Sequence, residues 1–368
     1  MMKRVASLAL LAGAVTMAGA AGAAPKWSGP GVPHPMFVTL PPHAAVQNPH
    51  APAAQVAQWT GGFTDQHGHA ISYRMIGADP ATSNSTTTVK VWIIPVIMNY
   101  GQSNGNMTFN PKKAKWNGKN IIKNVLRSPL CTAGYDFSSG PTHLGVGQYI
   151  DEYQRGNFWS KVSTNTNYHT VYDCKKSKQL KPLQIDVSAA QGSVISNPFG
   201  SGVVGTMTIN AFDTALNNYI SQHSAITADT LPLFISYDIY LTSGGCCIGG
   251  YHSTRGAPPG GQTYSYSTFV DSDGAFSEDI SAVSHELGEW HDDPFTNNHV
   301  FCNDNSIMEN GDPLVPIGEY GTFPIVMGGV TWHPQSLVYI PYFGDATSQS
   351  ANNWFAFNND INHRCPGQ

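Results

Sequence analysis

The spacing of apolar and polar positions changes period several times along the chain, and each change marks an expected element. Residues 86–95, a Thr run followed by Val89, Val91, Ile93 and Ile94, are rich in β-branched side chains. They lead into an apolar stretch ending at Met98, which predicts a strand entering a buried sheet. Residues 119–126 read as a short helix. Between residues 149 and 162, Tyr149, Ile150, Tyr153, Phe158 and Trp159 recur at helical spacing, with an interruption expected near Gly156-Asn157. Ile209, Phe212, Leu216, Tyr219 and Ile220 fall on one helical stripe, the pattern of a helix lying on a sheet. Residues 231–241 and 264–270 alternate and are rich in β-formers. A helix over about residues 277–290 follows, with Ile280, Val283, Leu287 and Trp290 as its buried face. Beyond Gly311 the Gly, Pro and aromatic content predicts a loop-rich part with irregular strands. No internal repeat is visible.

The ends of the chain read differently. Met1-Met2-Lys3-Arg4, an apolar run over residues 5–20 and small residues at 21–23 form a secretory signal peptide, 1–23, with cleavage expected before Ala24. No later stretch reaches the ~18 uncharged apolar residues of a spanning helix. Residues 24–57 are rich in Pro, Ala and His, and five of the seven positions from Gly29 to Pro35 are Gly or Pro. Such a segment reads as an extended arm or linker, its His34, His43 and His50 as solvated loop residues. Regular structure is expected from about Trp59, as one large domain over 58–368, with a C-terminal subdomain from about 311 as the alternative.

Charge narrows the partners. Without Lys3 and Arg4, 17 of the 19 basic residues remain against 24 acidic ones, a formal charge of −7. That balance speaks against nucleic acid or an anionic membrane surface. The six cysteines are an even number in an exported chain, so disulfides are expected. The preferred pairs are Cys302 with Cys365 and Cys131 with Cys174; a bond between the neighbours Cys246 and Cys247 is one option for the rest.

The chemistry concentrates in Ser284-His285-Glu286-Leu287-Gly288-Glu289-Trp290-His291-Asp292-Asp293-Pro294. In the H-E-x-x-H signature, two histidines four residues apart bind zinc and the glutamate is the general base. Here Glu289 stands at the second histidine's place. Four helical steps of about 100° leave it about 40° around from His285, and carboxylate oxygen is an ordinary zinc ligand. His291, six residues on, lies about 240° around the helix and ranks lower. Asp293, before a helix-ending proline, is the preferred third ligand, with Glu309 and Asp312 as alternatives if the following loop folds back. Asp293 could instead cap the turn, and Glu309-Asn310-Gly311-Asp312 could be a turn or a calcium loop. Glu286 is the expected base, and His252, in a small-residue loop, is a second catalytic candidate that would stabilise a tetrahedral intermediate or bind metal. Gly101-Gln102-Ser103-Asn104-Gly105 matches G-x-S-x-G, but the residues after it are a poor helix start, so a polar loop is the better reading.

The helix resembles the S-H-E-L-x-E-x-x-x-D-P motif of secreted bacterial proteins related to the plant phosphate-induced, Exordium-like group. Further likeness lies in residues 89–95, in Gln148-Tyr149-Ile150-Asp151 with Gln154-Arg155-Gly156-Asn157-Phe158-Trp159, in Gly250-Tyr251-His252 and in Glu309-Asn310-Gly311-Asp312. The chain departs from that pattern at Pro313-Leu314, where a cysteine often follows the Gly-Asp pair, and at His291. The resemblance implies a metallopeptidase-type helix. Together these readings predict an α+β, α/β-like fold with a zincin-like twisted mixed sheet. They point to an exported zinc-dependent hydrolase acting on a peptide or protein substrate. The rival reading is a non-catalytic extracellular or wall-associated protein in which the helix holds a structural metal or none.

Overall fold

The computed structural model describes residues 36–44, 54–175, 180–271, 278–303 and 306–368; the expected signal peptide lies outside them, as does much of the arm. The first named strands are the hairpin β1 (Gln58–Thr64) and β2 (Ala70–Ile76), then the long strand β3 (Thr86–Tyr100). Short strands β4 (Met107–Phe109), β5 (Lys115–Trp116) and β6 (Lys119–Asn120) lead into helix α1 (Ile121–Arg127). The hairpin β7 (Tyr135–Ser139) and β8 (Thr142–Gly147) precedes α2 (Tyr149–Asn157) and α3 (Trp159–Val162). These two helices are separated at Phe158, next to the expected Gly-Asn interruption. Strands β9 (His169–Lys175), β10 (Leu183–Val187), β11 (Val194–Ser196) and β12 (Val203–Thr208) lead to α4 (Ile209–Gln222). Then come β13 (Thr230–Tyr237), β14 (Ile239–Thr242), β15 (Cys246–Ile248), β16 (Gly250–Arg255) and β17 (Gln262–Phe269), and finally α5 (Ser281–Asp292).

The main sheet is mixed, in the order β10-β3-β13-β17-β16. Strand β3 pairs in parallel with β9 through its first half, with β10 at its end and with β13 on the other side. Strand β13 pairs in parallel with β17, and β16 closes the edge antiparallel to β17. Among the described residues the fold is therefore α+β with five α-helices, and none is long and apolar enough to cross a membrane.

Burial on both faces of the sheet follows from strand alternation. Val89, Val91 and Ile93 of β3 and Leu233 and Ile235 of β13 face a core shared with α2, α5 and the C-terminal residues Trp332, Leu337, Tyr339 and Phe357. Ile94, Val96 and Met98 of β3 and Phe234 of β13 face the opposite core, filled by Phe212, Leu216 and Ile220 of α4. The expected α4 stripe is buried residue for residue, and α4 covers its face of the sheet. The part beyond Gly311 is mostly short 3-10 turns, plus a hairpin of β18 (Ile325–Met327) and β19 (Val330–Trp332). Disulfides join Cys131 to Cys174 and Cys302 to Cys365, the two preferred pairs, and Cys246 to Cys247.

Candidate metal centre

Helix α5 emerges just after β17 and runs back beneath β16 and β17, where the Ser267 hydroxyl donates to the Ala282 carbonyl at 3.2 Å. All twelve of its residues are buried, not only the expected face of Val283, Leu287 and Trp290. The reason lies in the returning chain. After Pro294 the loop is tied to the C-terminus through Cys302–Cys365, and Glu309-Asn310-Gly311-Asp312 then folds onto the helix. Asn310 Nδ2 donates to the Gly288 carbonyl at 3.0 Å and to Asp292 Oδ2 at 2.9 Å. The Gly311 and Asp312 amides both donate to Glu289 Oε1, at 3.1 and 3.2 Å. Gly311 has no substitute at this approach, because a Cβ there would lie 2.4 Å from His285 Nδ1.

Two imidazoles aim lone pairs into this space, and their hydrogen bonds fix which nitrogens carry them. Gln335 Nε2 donates to the carbonyls of Tyr320 at 2.9 Å and Gly311 at 3.3 Å, which turns Gln335 Oε1 toward His285 Nδ1 at 2.6 Å. His285 therefore donates from Nδ1, and burial pulls it down to about 4, so Nε2 is an unprotonated acceptor. That nitrogen stands 2.9 Å from Glu289 Oε1 and 3.7 Å from Asp312 Oδ1. His252, on the α5-facing side of β16, donates from Nε2 to the Asp293 carbonyl at 2.9 Å. Burial lowers it to about 4 as well, which leaves its Nδ1 lone pair 3.4 Å from Glu286 Oε2. In this tautomer that nitrogen accepts a proton or binds a cation; it does not donate to an oxyanion, the first of the two roles expected for His252.

The carboxylates are crowded beyond what burial allows when they are charged. Burial, then repulsion from Glu289, Glu309 and Asp312, pushes Glu286 well above the usual range. Burial and then Asp312 do the same to Glu289, and burial and then Glu289 to Glu309. His285 Nε2, Glu286 Oε1 and Glu309 Oε1 are buried with no hydrogen-bond partner. His285, Glu286 and Glu289 form one close group of ligand atoms, and His252, Glu289 and Glu309 another, each within 4.8 Å. Unprotonated imidazole nitrogens facing crowded carboxylate oxygens are a donor set that a divalent cation satisfies. Nitrogen donors favour zinc over calcium, which takes oxygen alone.

Asp293, the third ligand preferred from sequence, is engaged elsewhere. Its Oδ1 accepts the amides of Asn297 at 2.9 Å and Asn298 at 3.0 Å, the alternative turn-capping role. His291 lies away from the site, as its 240° position predicts, with Nδ1 2.7 Å from the Tyr172 hydroxyl. Of the alternatives, Asp312 and Glu309 are the carboxylates brought back. Gln335 carries no signal in the sequence, since it sits 50 residues from His285 in a segment without periodicity. Asp292, passed over in the sequence, accepts from Tyr153, Gln154 and Asn310 at 2.8–2.9 Å and pins α2 and the returning turn to α5. Arg155 serves packing, ion-paired to Glu152 at 3.4 Å and donating to the carbonyls of Leu144, Asn165 and Tyr168. The G-x-S-x-G stretch forms a 3-10 turn followed by β4, not a helix. Comparison with protein-family models, curated proteins and solved structures finds no match to this chain.

Proposed function

We propose that this chain is an exported zinc-dependent hydrolase of the metallopeptidase type, cleaving peptide bonds. One observation carries the reading: the lone pair of His285 Nε2, fixed by Gln335, meets Glu289 and Asp312 at 2.9 and 3.7 Å. We assign these three side chains as the metal ligands. A sheet strand, β17, followed in sequence by the ligand-bearing helix as the next regular element among the described residues is the order used by zinc-protease folds and supports a zincin-like core, as analogy. Three disulfides support an oxidising, extracytoplasmic setting.

Bound zinc would supply Lewis acidity to the scissile carbonyl and to the attacking water. The remaining work falls to the chain. Glu286, adjacent to His285 but turned toward Gly250 and His252, is placed to take the proton from that water as general base. His252, fixed by the Asp293 carbonyl, keeps its Nδ1 lone pair 3.4 Å from Glu286 Oε2, where it can accept a hydrogen bond from the Glu286 carboxyl once that group has taken the proton. Asp312, 37 % exposed, puts one side of the site at the surface, where a polypeptide can enter.

Metal analysis of the purified protein, with casein hydrolysis measured with and without chelator, tests this. Glu286→Gln should retain zinc and lose about 10²–10⁴-fold in hydrolysis, the usual contribution of a general base. His285→Ala should lose the metal. The near-complete burial of His285, Glu286 and Glu289 favours a second reading, a closed structural metal site. Stoichiometric zinc with no hydrolysis would select it, and hydrolysis unaffected by Glu286→Gln would overturn the assigned mechanism.

A further inference from the structure

Residues 36–44 lie alongside β15 at one end and β16, the strand that carries His252, at the other. Their register is constant: Met36 pairs with Ile248 and His43 with Arg255, both in parallel and both offset by 212 positions. At one end Met36 N donates to Cys247 O at 2.9 Å and Gly249 N to Met36 O at 3.1 Å. At the other, His43 N donates to Thr254 O at 2.8 Å and Gly256 N to His43 O at 3.0 Å. Between them the Leu40 carbonyl accepts from the hydroxyls of Ser253 and Thr296, at 3.2 and 3.4 Å. Pro41 and Pro42 have no N–H, so the middle of the arm cannot complete a ladder. His43 is further anchored by Asp213 Oδ2, 2.7 Å from its Nε2. Phe37 stacks on the imidazole of His285 with ring centroids 3.4 Å apart and planes 16° from parallel.

An extended segment added to an exposed sheet edge, with one side chain laid on a functional residue, is the geometry by which sheets bind polypeptide. We infer that residues 36–44 are an internal occupant of the polypeptide-binding strip of this site, with Phe37 covering His285, and that a substrate polypeptide competes with them for the edge of β16. The inference rests on the hydrolase reading for its catalytic consequence, but not for the binding strip itself. The ladder broken at the two prolines keeps the arm displaceable, while its tether to the same chain gives it a high effective concentration.

The test uses the full chain, wild type and Phe37→Ala/His43→Ala, each assayed for zinc content, for casein hydrolysis and for binding of a fluorescein-labelled peptide Met-Phe-Val-Thr-Leu-Pro-Pro-His-Ala by anisotropy. Releasing an internal competitor that holds the site nine-tenths of the time should tighten peptide binding, and speed hydrolysis at low substrate, about tenfold at equal zinc content. Amide hydrogen exchange supplies a second measurement on the unaltered protein: added unlabelled peptide should raise exchange of residues 36–44 and leave Gly249 and Gly256 protected. Tighter peptide binding with no hydrolysis by either form supports the strip and sinks the hydrolase reading. No gain in peptide affinity, together with no peptide-induced exchange of residues 36–44, overturns the inference.

Discussion

Gln335 fixes the protonation of His285 from 50 residues away. Its amide nitrogen is committed to the carbonyls of Tyr320 and Gly311, so its oxygen, 2.6 Å from Nδ1, leaves the ring one way to place its proton. A hydrogen bond of this kind orients a ligand histidine and raises its basicity.

Replacing Gln335 by Leu should therefore weaken zinc binding by roughly 10–100-fold without removing a ligand. Chelator competition on the variant reads this directly. Gln335→Glu keeps an acceptor at Nδ1 and should retain most of the affinity. If Gln335→Leu binds zinc as tightly as wild type, His285 is not held as a ligand by this contact.

How much of this was legible in the sequence depended on whether a residue's role was local. The α4 stripe was readable because the opposite face of that helix remains partly in solvent, so apolar and polar positions separate cleanly. Helix α5 was readable as a motif but not in its burial, since the Glu309–Asp312 turn and Leu337 cover the face that its charged residues would have left in water. Alternation in β13 suggested one buried face, whereas a helix layer on each side buries both. The place of Asp293 at the helix end suggests a ligand, and that same place gives it two backbone amides to cap. The arm was legible as an extended segment from its prolines. Its docking on β16 was not, because pairing across 212 positions has no periodic signature.

Gly311 offers a steric test of the turn that returns Asp312 to the site. Gly311→Ala would put a Cβ 2.4 Å from His285 Nδ1, with Gln335 already hydrogen-bonded to that same nitrogen. Either the ring or the turn must shift, at about 1–3 kcal/mol for overpacking of this kind. The expected result is a lower thermal midpoint in the metal-free protein and weaker zinc binding, both measured by calorimetry. Unchanged values for both would mean that the turn does not approach His285 this closely in solution.

Glu152 offers a pH test away from the metal centre. Its carboxyl lies against the β7–β8 hairpin, where Cβ atoms on Gly145 and Gly147 would come within 2.9 and 2.2 Å of its oxygens, and its ion-pair partner, Arg155 Nε, is 3.4 Å away. Burial, then repulsion from Asp151, raises it from 4.5 to about 7, against the pull of Arg155 and His169. Below pH 4.5 the group is protonated in both folded and unfolded chains and adds no pH dependence. Between 4.5 and 7 the folded state keeps a proton that the unfolded state has lost, so stability falls as pH rises through that window and levels off above it. The full shift corresponds to about 3 kcal/mol. Glu152→Gln cannot ionise, so its loss of stability from pH 5 to pH 8 should be smaller than that of wild type by an amount of that order. Urea unfolding at the two pH values measures the difference, and parallel losses in the two proteins would show that Glu152 carries no proton in the native state at pH 5.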